Sequence, residues 1–188
     1  SMIALTFIWL AAPQLELKFE PPLSRPEAAS IERYAQSAGL DGSANEVITR
    51  LHDYLNKLDR FVLPRCTVVK ETYRCFLKES PRIAELKITG VLPFGILRSD
   101  LERRSSLRSG RRLPASDYVS DAQPYAALLD KISRRLARFV DERGYDGTRI
   151  MIVLGDHPRG KGWCSVRLDI KLGVPLQWGK LEIGGLPR

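Results

Sequence analysis

The chain has 188 residues, of which 44% are hydrophobic, and a formal net charge of +8. This length and apolar content suffice for a full buried core, which excludes a mainly disordered protein. No apolar run approaches the roughly 20 residues that cross a bilayer, so we expect a soluble protein. A chain of this length is expected to form one domain. We place it at residues 2–188, because Ser1 before Met2 is typical of a tag-removal remnant.

The N-terminal segment from Ile3 to Ala12 is apolar and ends in Leu-Ala-Ala, a pattern also found in signal peptides. However, no basic residues precede the apolar run, which is short. Strand-like alternation also continues through Leu15, Leu17 and Phe19. We therefore favour a buried N-terminal strand over a signal peptide.

Two amphipathic helices follow. Ser24 with Glu27 matches a capping box and predicts a helix that ends at Gly39. Ser43 with Glu46 matches a second box, and apolar residues recur at helical spacing up to Asp59 or Arg60. The pattern predicts an αα-hairpin.

The next region has strand character. One strand is predicted from Cys66 to Leu77, and a second over Ala84–Leu92, where apolar residues alternate. The turn-forming Ser80-Pro81 pair between them predicts antiparallel pairing.

A long helix is predicted next, with Asp121 as its cap, Pro124 in its first turn and Gly144 after its end. Residues 150–154 are apolar at every position, which is typical of a strand covered on both faces. From Trp163 to Leu172 apolar and polar residues alternate, so the two strands predict a hairpin with a basic tip. A last short strand is expected at Leu181–Ile183.

This order of elements predicts an α+β fold. The expected sheet is mainly antiparallel, with helices packed on one face, and a ferredoxin-like βαββαβ core with extra hairpins fits the order. No motif in the sequence identifies a known family.

The three cysteines are odd in number and lack the C-x-x-C spacing of many metal sites. Each of them, Cys66, Cys75 and Cys164, falls on or near an apolar strand face, where buried thiols are common. We therefore expect no disulfide framework, no metal and no other cofactor, and an intracellular location, cytoplasmic or nuclear.

The positive charge is unevenly distributed. Residues 98–171 hold 16 Lys and Arg against 10 Asp and Glu, so this segment contributes six of the eight net charges. Thirteen of its sixteen cations are Arg, whose planar fork suits phosphate. The distribution predicts a polyanionic partner: nucleic acid, with RNA favoured, or an acidic membrane surface.

Three basic segments carry this prediction: a mobile Arg-rich loop at about 97–115, one flank of the long helix, and the hairpin tip, where Trp163 would stack a base. The predicted nucleic-acid-binding residues are Arg98, Arg103, Arg104, Arg108, Arg111, Arg112, Lys131, Arg134, Arg135, Arg138, Arg159, Lys161 and Trp163.

Two alternatives remain open. A matrix-like or coat-associated structural protein would place the same surface on acidic membrane or nucleoprotein and self-associate as a homo-oligomer. A metal-independent ribonuclease would use His157 as general acid or base, beside Arg159 and Lys161. No strong catalytic motif is present, which favours a protein that is not an enzyme.

Overall fold

The computed structural model describes residues 11–177. Its helices are α1 (Arg25–Gln36), α2 (Ala44–Lys57), α3 (Arg98–Ser105) and α4 (Ala126–Asp141), with one 3₁₀ turn at Ala115–Asp117. Its strands are β1 (Gln14–Glu20), β2 (Phe61–Val69), β3 (Thr72–Glu79), β4 (Arg82–Thr89), β5 (Tyr145–Asp146), β6 (Arg149–Asp156), β7 (Trp163–Lys171) and β8 (Val174–Pro175). Most of the strand expected over Ile3–Ala12 and all of the strand expected at Leu181–Ile183 lie outside the described residues.

The chain divides into two compact units, although the sequence suggested a single domain. The first unit contains the residues up to Pro81 together with Leu113–Pro124. The second unit contains Arg82–Arg112 and the residues from Tyr125 onward. Each unit has a three-stranded sheet and two helices of its own.

In the first unit the strand order is β1-β3-β2, with β1 parallel and β2 antiparallel to the central strand β3. Helix α2 begins with the predicted capping box: Glu46 N donates to Ser43 Oγ at 3.3 Å, and Ser43 N donates to Glu46 Oε2 at 3.2 Å. Its apolar stripe faces the sheet and is fully buried at Val47, Leu51 and Leu55. Helical periodicity therefore determines which face of α2 forms the core.

The first sheet contains a hairpin that we did not predict. The sequence suggested one strand from Cys66 to Leu77, but the chain turns between β2 and β3, and Lys70 adopts a positive φ of 57°. Across this turn the buried residues change from even positions, as at Cys66, to odd positions, as at Tyr73 and Cys75, so the alternation shifts by one residue where the chain reverses. Moreover, β3 and β4 lie in different sheets, so the predicted antiparallel pairing of these segments is wrong.

The second unit repeats the element order of the first. Its sheet has the order β4-β7-β6, with β4 parallel and β6 antiparallel to the central β7. The predicted hairpin of β6 and β7 is present, with Ile150 opposite Ile170 and Leu154 opposite Val166. The two-residue strands β5 and β8 pair with each other outside this sheet. When they are set aside, the helices and longer strands of both units have the order βααββ.

Helix α4 starts later than the sequence suggested. Pro124 precedes the helix, and Tyr125 is the N-cap residue with a positive φ of 60°. Asp121 does not cap the helix, because its carboxylate instead accepts a hydrogen bond from the Tyr118 hydroxyl. The apolar face of α4 packs in the core, where Ile132, Leu136 and Phe139 are all buried.

The α+β class is confirmed. The two sheets are each mixed, with one parallel and one antiparallel pair, and the order βααββ occurs twice in place of the βαββαβ core that we considered. Among residues 11–177, the two three-stranded sheets have four edge strands: β1, β2, β4 and β6.

Candidate functional site

The outer edge of β6 is open. Within residues 11–177, β6 pairs only with β7, so its other side carries backbone N–H and C=O groups without a neighbouring strand. One of these residues has a partner on α4, because Ser133 Oγ donates a hydrogen bond to the carbonyl oxygen of Ile150. The rest of this eight-residue strand forms a template for another strand.

The edge of β4 is covered by contrast. Ile83 N donates to Arg111 O at 2.8 Å, and Gly110 N donates to Ile83 O at 2.7 Å. The side chains of Ser109 and Arg98 donate to the carbonyl oxygens of Ala84 and Leu86 respectively. Since the following chain satisfies these groups, β4 cannot accept a further strand there.

The edge of β2 is interrupted. Its pairing with β3 shifts register between Val62 and Arg65, where Leu63 has a positive φ of 43° and Pro64 has no N–H to donate. The 3₁₀ turn Ala115–Asp117 also packs against this strand. A bulge and a proline are common ways to block an edge strand.

The two remaining edges differ in chemistry. On β1 the residues of the open sheet face include the charged Glu16 and Lys18, which oppose strand addition. On β6 the central residues Ile152, Val153 and Leu154 are half-buried and apolar, while Met151 is 61% exposed. The sequence predicted that this apolar run is covered on both faces, but the exposure of Met151 shows that one face is partly open.

The Arg-rich segment that we expected to be mobile folds as a helix and a turn. Its apolar residues Ile96, Leu101, Leu107 and Leu113 are all buried and anchor it. We did not predict these anchors, because polar residues separate them and their spacing follows neither the helical nor the strand period. The segment therefore has a defined structure over α3 and along the edge of β4.

Several of the predicted nucleic-acid-binding arginines are paired with carboxylates. The ion pairs are Arg98 with Glu102 at 2.8 Å, Arg103 with Asp100 at 2.7 Å and Arg134 with Asp130 at 3.0 Å. Each carboxylate lies three or four residues from its arginine on the same helix. The number of arginines in the sequence is therefore larger than the number that lack a carboxylate partner on these helices.

One group of arginines is brought together. The guanidiniums of Arg104 and Arg143 each lie 3.9 Å from the ring centroid of Phe139, and Arg135 Nη1 donates to the backbone oxygen of Arg104 at 3.4 Å. We call Arg104, Arg135 and Arg143 the arginine cluster. Arg143 was not among the predicted residues, although it lies four residues after Phe139 and eight after Arg135, a spacing that places residues on one side of a helix.

At the hairpin tip, Trp163 and His157 have local partners. The Arg159 guanidinium lies 4.7 Å from the Trp163 ring centroid, where a stacked base was predicted. His157 Nδ1 accepts a hydrogen bond from Arg159 N at 3.2 Å, and its Nε2 lies 3.8 Å from Glu85 Oε1. These contacts give His157 a role in shaping the turn.

Cys66 and Cys75 form a disulfide, which the sequence analysis did not expect. They lie directly opposite each other in the β2–β3 register, and both are buried. The remaining thiol, Cys164, is also buried, and burial raises its pKa to about 11. An odd number of cysteines therefore concealed one cross-strand pair, because the hairpin that aligns the two residues was not recognised.

Among residues 11–177, no group of three or more His, Cys, Asp and Glu side chains is placed to hold a metal ion. In the same range, none of the helices combines the length and the apolar character needed to cross a membrane.

No family model matches the sequence, and no curated protein matches it. Solved structures of similar fold include POTRA1-2 of the periplasmic domain of Omp85 from Anabaena, at 11% identity and a TM-score of 0.43, covering 87% of this chain and 95% of that one. CdiB from Acinetobacter baumannii has 12% identity and a TM-score of 0.40, with 86% and 29% covered. POTRA3-5 of BamA from Haemophilus influenzae has 14% identity and a TM-score of 0.33, with 85% and 65% covered.

The predicted nucleic-acid-binding function is contradicted, because the similar structures from Anabaena and Haemophilus influenzae are POTRA segments, described in Anabaena as part of a periplasmic domain. The predicted partners, nucleic acid or an acidic membrane surface, are wrong for the same reason. So is the predicted intracellular, cytoplasmic or nuclear location. The matrix-like and ribonuclease alternatives depend on the same partners and fall with them.

Proposed function

We propose that this chain is a protein-binding module in which the outer edge of β6 pairs with an extended segment of a partner polypeptide. The observation that carries the proposal is the apolar outer edge of β6, which no other strand of the described residues covers. Strand addition to a free sheet edge is a common mode of peptide recognition, in which backbone hydrogen bonds supply affinity and alternate side chains supply specificity.

The contrast among the four edges supports β6 as the binding strand. The edge of β4 is hydrogen-bonded to residues 110 and 111, and the edge of β2 is broken at Pro64. The open face of β1 carries charged side chains, which oppose strand addition. An uncharged run such as Met151–Leu154 is an aggregation hazard when it lies on an open edge, unless a partner covers it.

We also propose that the chain acts in an oxidising compartment such as the periplasm. Disulfides persist in such compartments and are rare in the cytosol, where thiols are kept reduced. The pair of Cys66 and Cys75 supports this location, because its two residues are held in register by the hairpin itself.

The test uses an eight-residue peptide of alternating Val and Thr, labelled with fluorescein, and the full chain without reductant. We expect binding by fluorescence anisotropy, with slower amide hydrogen exchange in β6 than in the free protein. A second peptide has the same side chains but N-methyl groups on alternate backbone nitrogens. It should not bind, because it cannot complete the ladder of hydrogen bonds.

The matched variants place two lysines on a strand. Met151→Lys with Val153→Lys should weaken peptide binding about tenfold or more, since charged side chains on an edge oppose strand addition. Gln14→Lys with Thr67→Lys adds the same charge to exposed positions of the first sheet and should bind like the parent chain. Equal binding of the two peptides, or equal loss in both variants, would refute the β6 edge as the site.

A further inference from the structure

The arginine cluster lies on the helical side of the second unit. It is a candidate binding site in addition to the β6 edge. Phe139 is only 2% exposed, although the guanidiniums of Arg104 and Arg143 that lie over its ring belong to exposed residues. Both guanidinium carbons are 3.9 Å from the same ring centroid, so they occupy opposite faces of the ring. Stacking on an aromatic ring holds each charge in a fixed place.

Among the described residues, none of the three arginines of the cluster forms an ion pair. On α3 and α4, Arg98, Arg103 and Arg134 each pair with an acidic side chain of the same helix. Across residues 11–177, by contrast, no carboxylate lies within ion-pair distance of Arg104, Arg135 or Arg143. Arg138 is excluded from the cluster because it lines a neighbouring groove with Asp141, Glu142 and Asp146.

Three close positive charges without a counter-charge repel one another, and anionic groups that bind to them relieve that repulsion. Guanidinium is suited to this task because its planar fork binds a carboxylate through two parallel hydrogen bonds. The contrast with the paired arginines of the same helices indicates that the missing carboxylates come from another molecule.

We propose that the arginine cluster binds an acidic segment of a partner protein that carries two carboxylates at alternate positions. The two 3.9 Å separations on opposite faces place the guanidinium carbons roughly 8 Å apart. In an extended chain, residues i and i+2 lie on the same side and are about 7 Å apart. An acidic residue, any residue and a second acidic residue therefore match the spacing of the two arginines.

The test measures fluorescence anisotropy with the full chain at low salt. The probe is a labelled, serine-rich peptide with one Glu-Ser-Glu motif. We expect it to bind more tightly than an otherwise identical peptide with Gln-Ser-Gln, and more tightly than one whose two Glu residues are adjacent. Inorganic tripolyphosphate should compete poorly, because it lacks the separated carboxylates.

Three protein variants locate the site. Arg104→Gln, Arg135→Gln and Arg143→Gln together should weaken binding of the Glu-Ser-Glu peptide about tenfold or more, as lost charge-assisted hydrogen bonds do. Arg108→Gln, Arg111→Gln and Lys131→Gln together remove the same charge from exposed residues of the same unit, and should weaken it by less than about threefold. Replacing the cluster with three lysines keeps the charge but removes the planar forks, and should weaken binding about fivefold.

Circular dichroism of each variant establishes that it is folded. If the glutamine variant does not fold, the lysine variant decides the question, because it retains the charge. If the glutamine variant of the cluster and its control lose the same affinity for the peptide, binding depends on the general positive charge and the proposal is refuted. If the lysine variant binds like the parent chain, the planar geometry of the arginines has no role. Equal binding of the adjacent-Glu peptide, or strong competition by tripolyphosphate, would also overturn the proposal.

Discussion

At the scale of single residues, burial determines which ion pairs contribute to stability. Arg60 Nη2 lies 2.6 Å from Glu79 Oε1 and 3.1 Å from Glu27 Oε1, and the Glu79 side chain is only 8% exposed. Arg74 and Glu16 form an ion pair of similar length, 3.0 Å, but both side chains are more than half exposed. A carboxylate held away from water depends on its cation far more than one in water.

Replacing Arg60 tests this contrast. We expect Arg60→Ala to lower the free energy of unfolding by about 2 kcal/mol, because it removes the cation paired with the buried Glu79. Arg74→Ala is the matched control and should change it by less than about 0.5 kcal/mol. Urea unfolding at neutral pH measures both, and equal effects would show that burial of Glu79 has no energetic consequence.

The disulfide of Cys66 and Cys75 should stabilise the first unit. It joins residues nine apart in sequence, and constraining so short a loop is worth about 2–3 kcal/mol in the chain-entropy account. We therefore expect Cys66→Ala with Cys75→Ala to lower the urea midpoint relative to the oxidised chain. The reduced parent should behave like this variant. A urea midpoint that stays the same after both the substitution and the reduction would contradict the expectation.

The free thiol of Cys164 allows a prediction about pH. Because burial raises the pKa of Cys164 from 9.0 to about 11, the folded state favours the neutral thiol. Its contribution to stability is present below pH 9 and is lost as the pH rises toward 11. At pH 9 we expect slow alkylation by iodoacetamide in the folded chain and rapid alkylation of one thiol in urea, as measured by mass spectrometry.

At the scale of elements, the two serine caps behave differently despite the same sequence pattern. Ser43 caps α2 through the backbone N–H of Glu46, whereas the side chain of Ser24 makes no capping hydrogen bond at α1. Ser24 Oγ instead donates to Glu27 Oε2 at 3.4 Å. Both boxes were predicted, and only the second formed.

The two caps can be compared directly. We expect Ser43→Ala to lower the free energy of unfolding by about 1 kcal/mol, since it leaves a helix N–H without its acceptor. The same change at Ser24 should lower it by only a few tenths of a kcal/mol, because no such bond is lost. Thermal or urea unfolding of the two single variants provides the measurement, and an equal loss would contradict the assignment of the caps.

The elements also show what the sequence could and could not predict. Helix α2 and strand β7 were predicted well, because their buried residues follow one regular period. The turn at Lys70 was not predicted, because it contains no Gly or Pro. The edge position of β6 was not predicted either, because it depends on which strands pair across the chain. Nor did the spacing of Arg135, Phe139 and Arg143 reveal the cluster, since Arg104 comes from another helix.

At the scale of the whole molecule, two βααββ units form from sequences in which we saw no internal repeat. The order of helices and strands that they share depends on which positions are buried. Different apolar residues can occupy the same buried position, so the two sequences need not be alike. Charge was a poor guide at this scale. The net charge of +8 predicted a polyanion, but a sum over the sequence does not show which arginines already face a carboxylate.

The separate cores of the two units lead to a prediction about local stability. Leu51 of α2 and Leu136 of α4 are each fully buried, in the first and second unit respectively. Leu51→Ala should create a cavity that costs about 2–5 kcal/mol and raise amide exchange rates in the first unit more than in the second. Leu136→Ala should do the reverse, whereas a uniform rise in both variants would indicate a single cooperative unit.

The membership of Leu113–Pro124 in the first unit has a consequence for biosynthesis. A nascent chain emerges from its N-terminus, so β1, β2 and β3 are all available before residues 82–112 have appeared. Ser116 N, which donates to Asp59 Oδ1 at 2.8 Å, arrives only after that stretch. The first unit therefore completes its fold late, during synthesis of the second, and no single proteolytic cut can divide the chain into two fragments that each hold one complete unit.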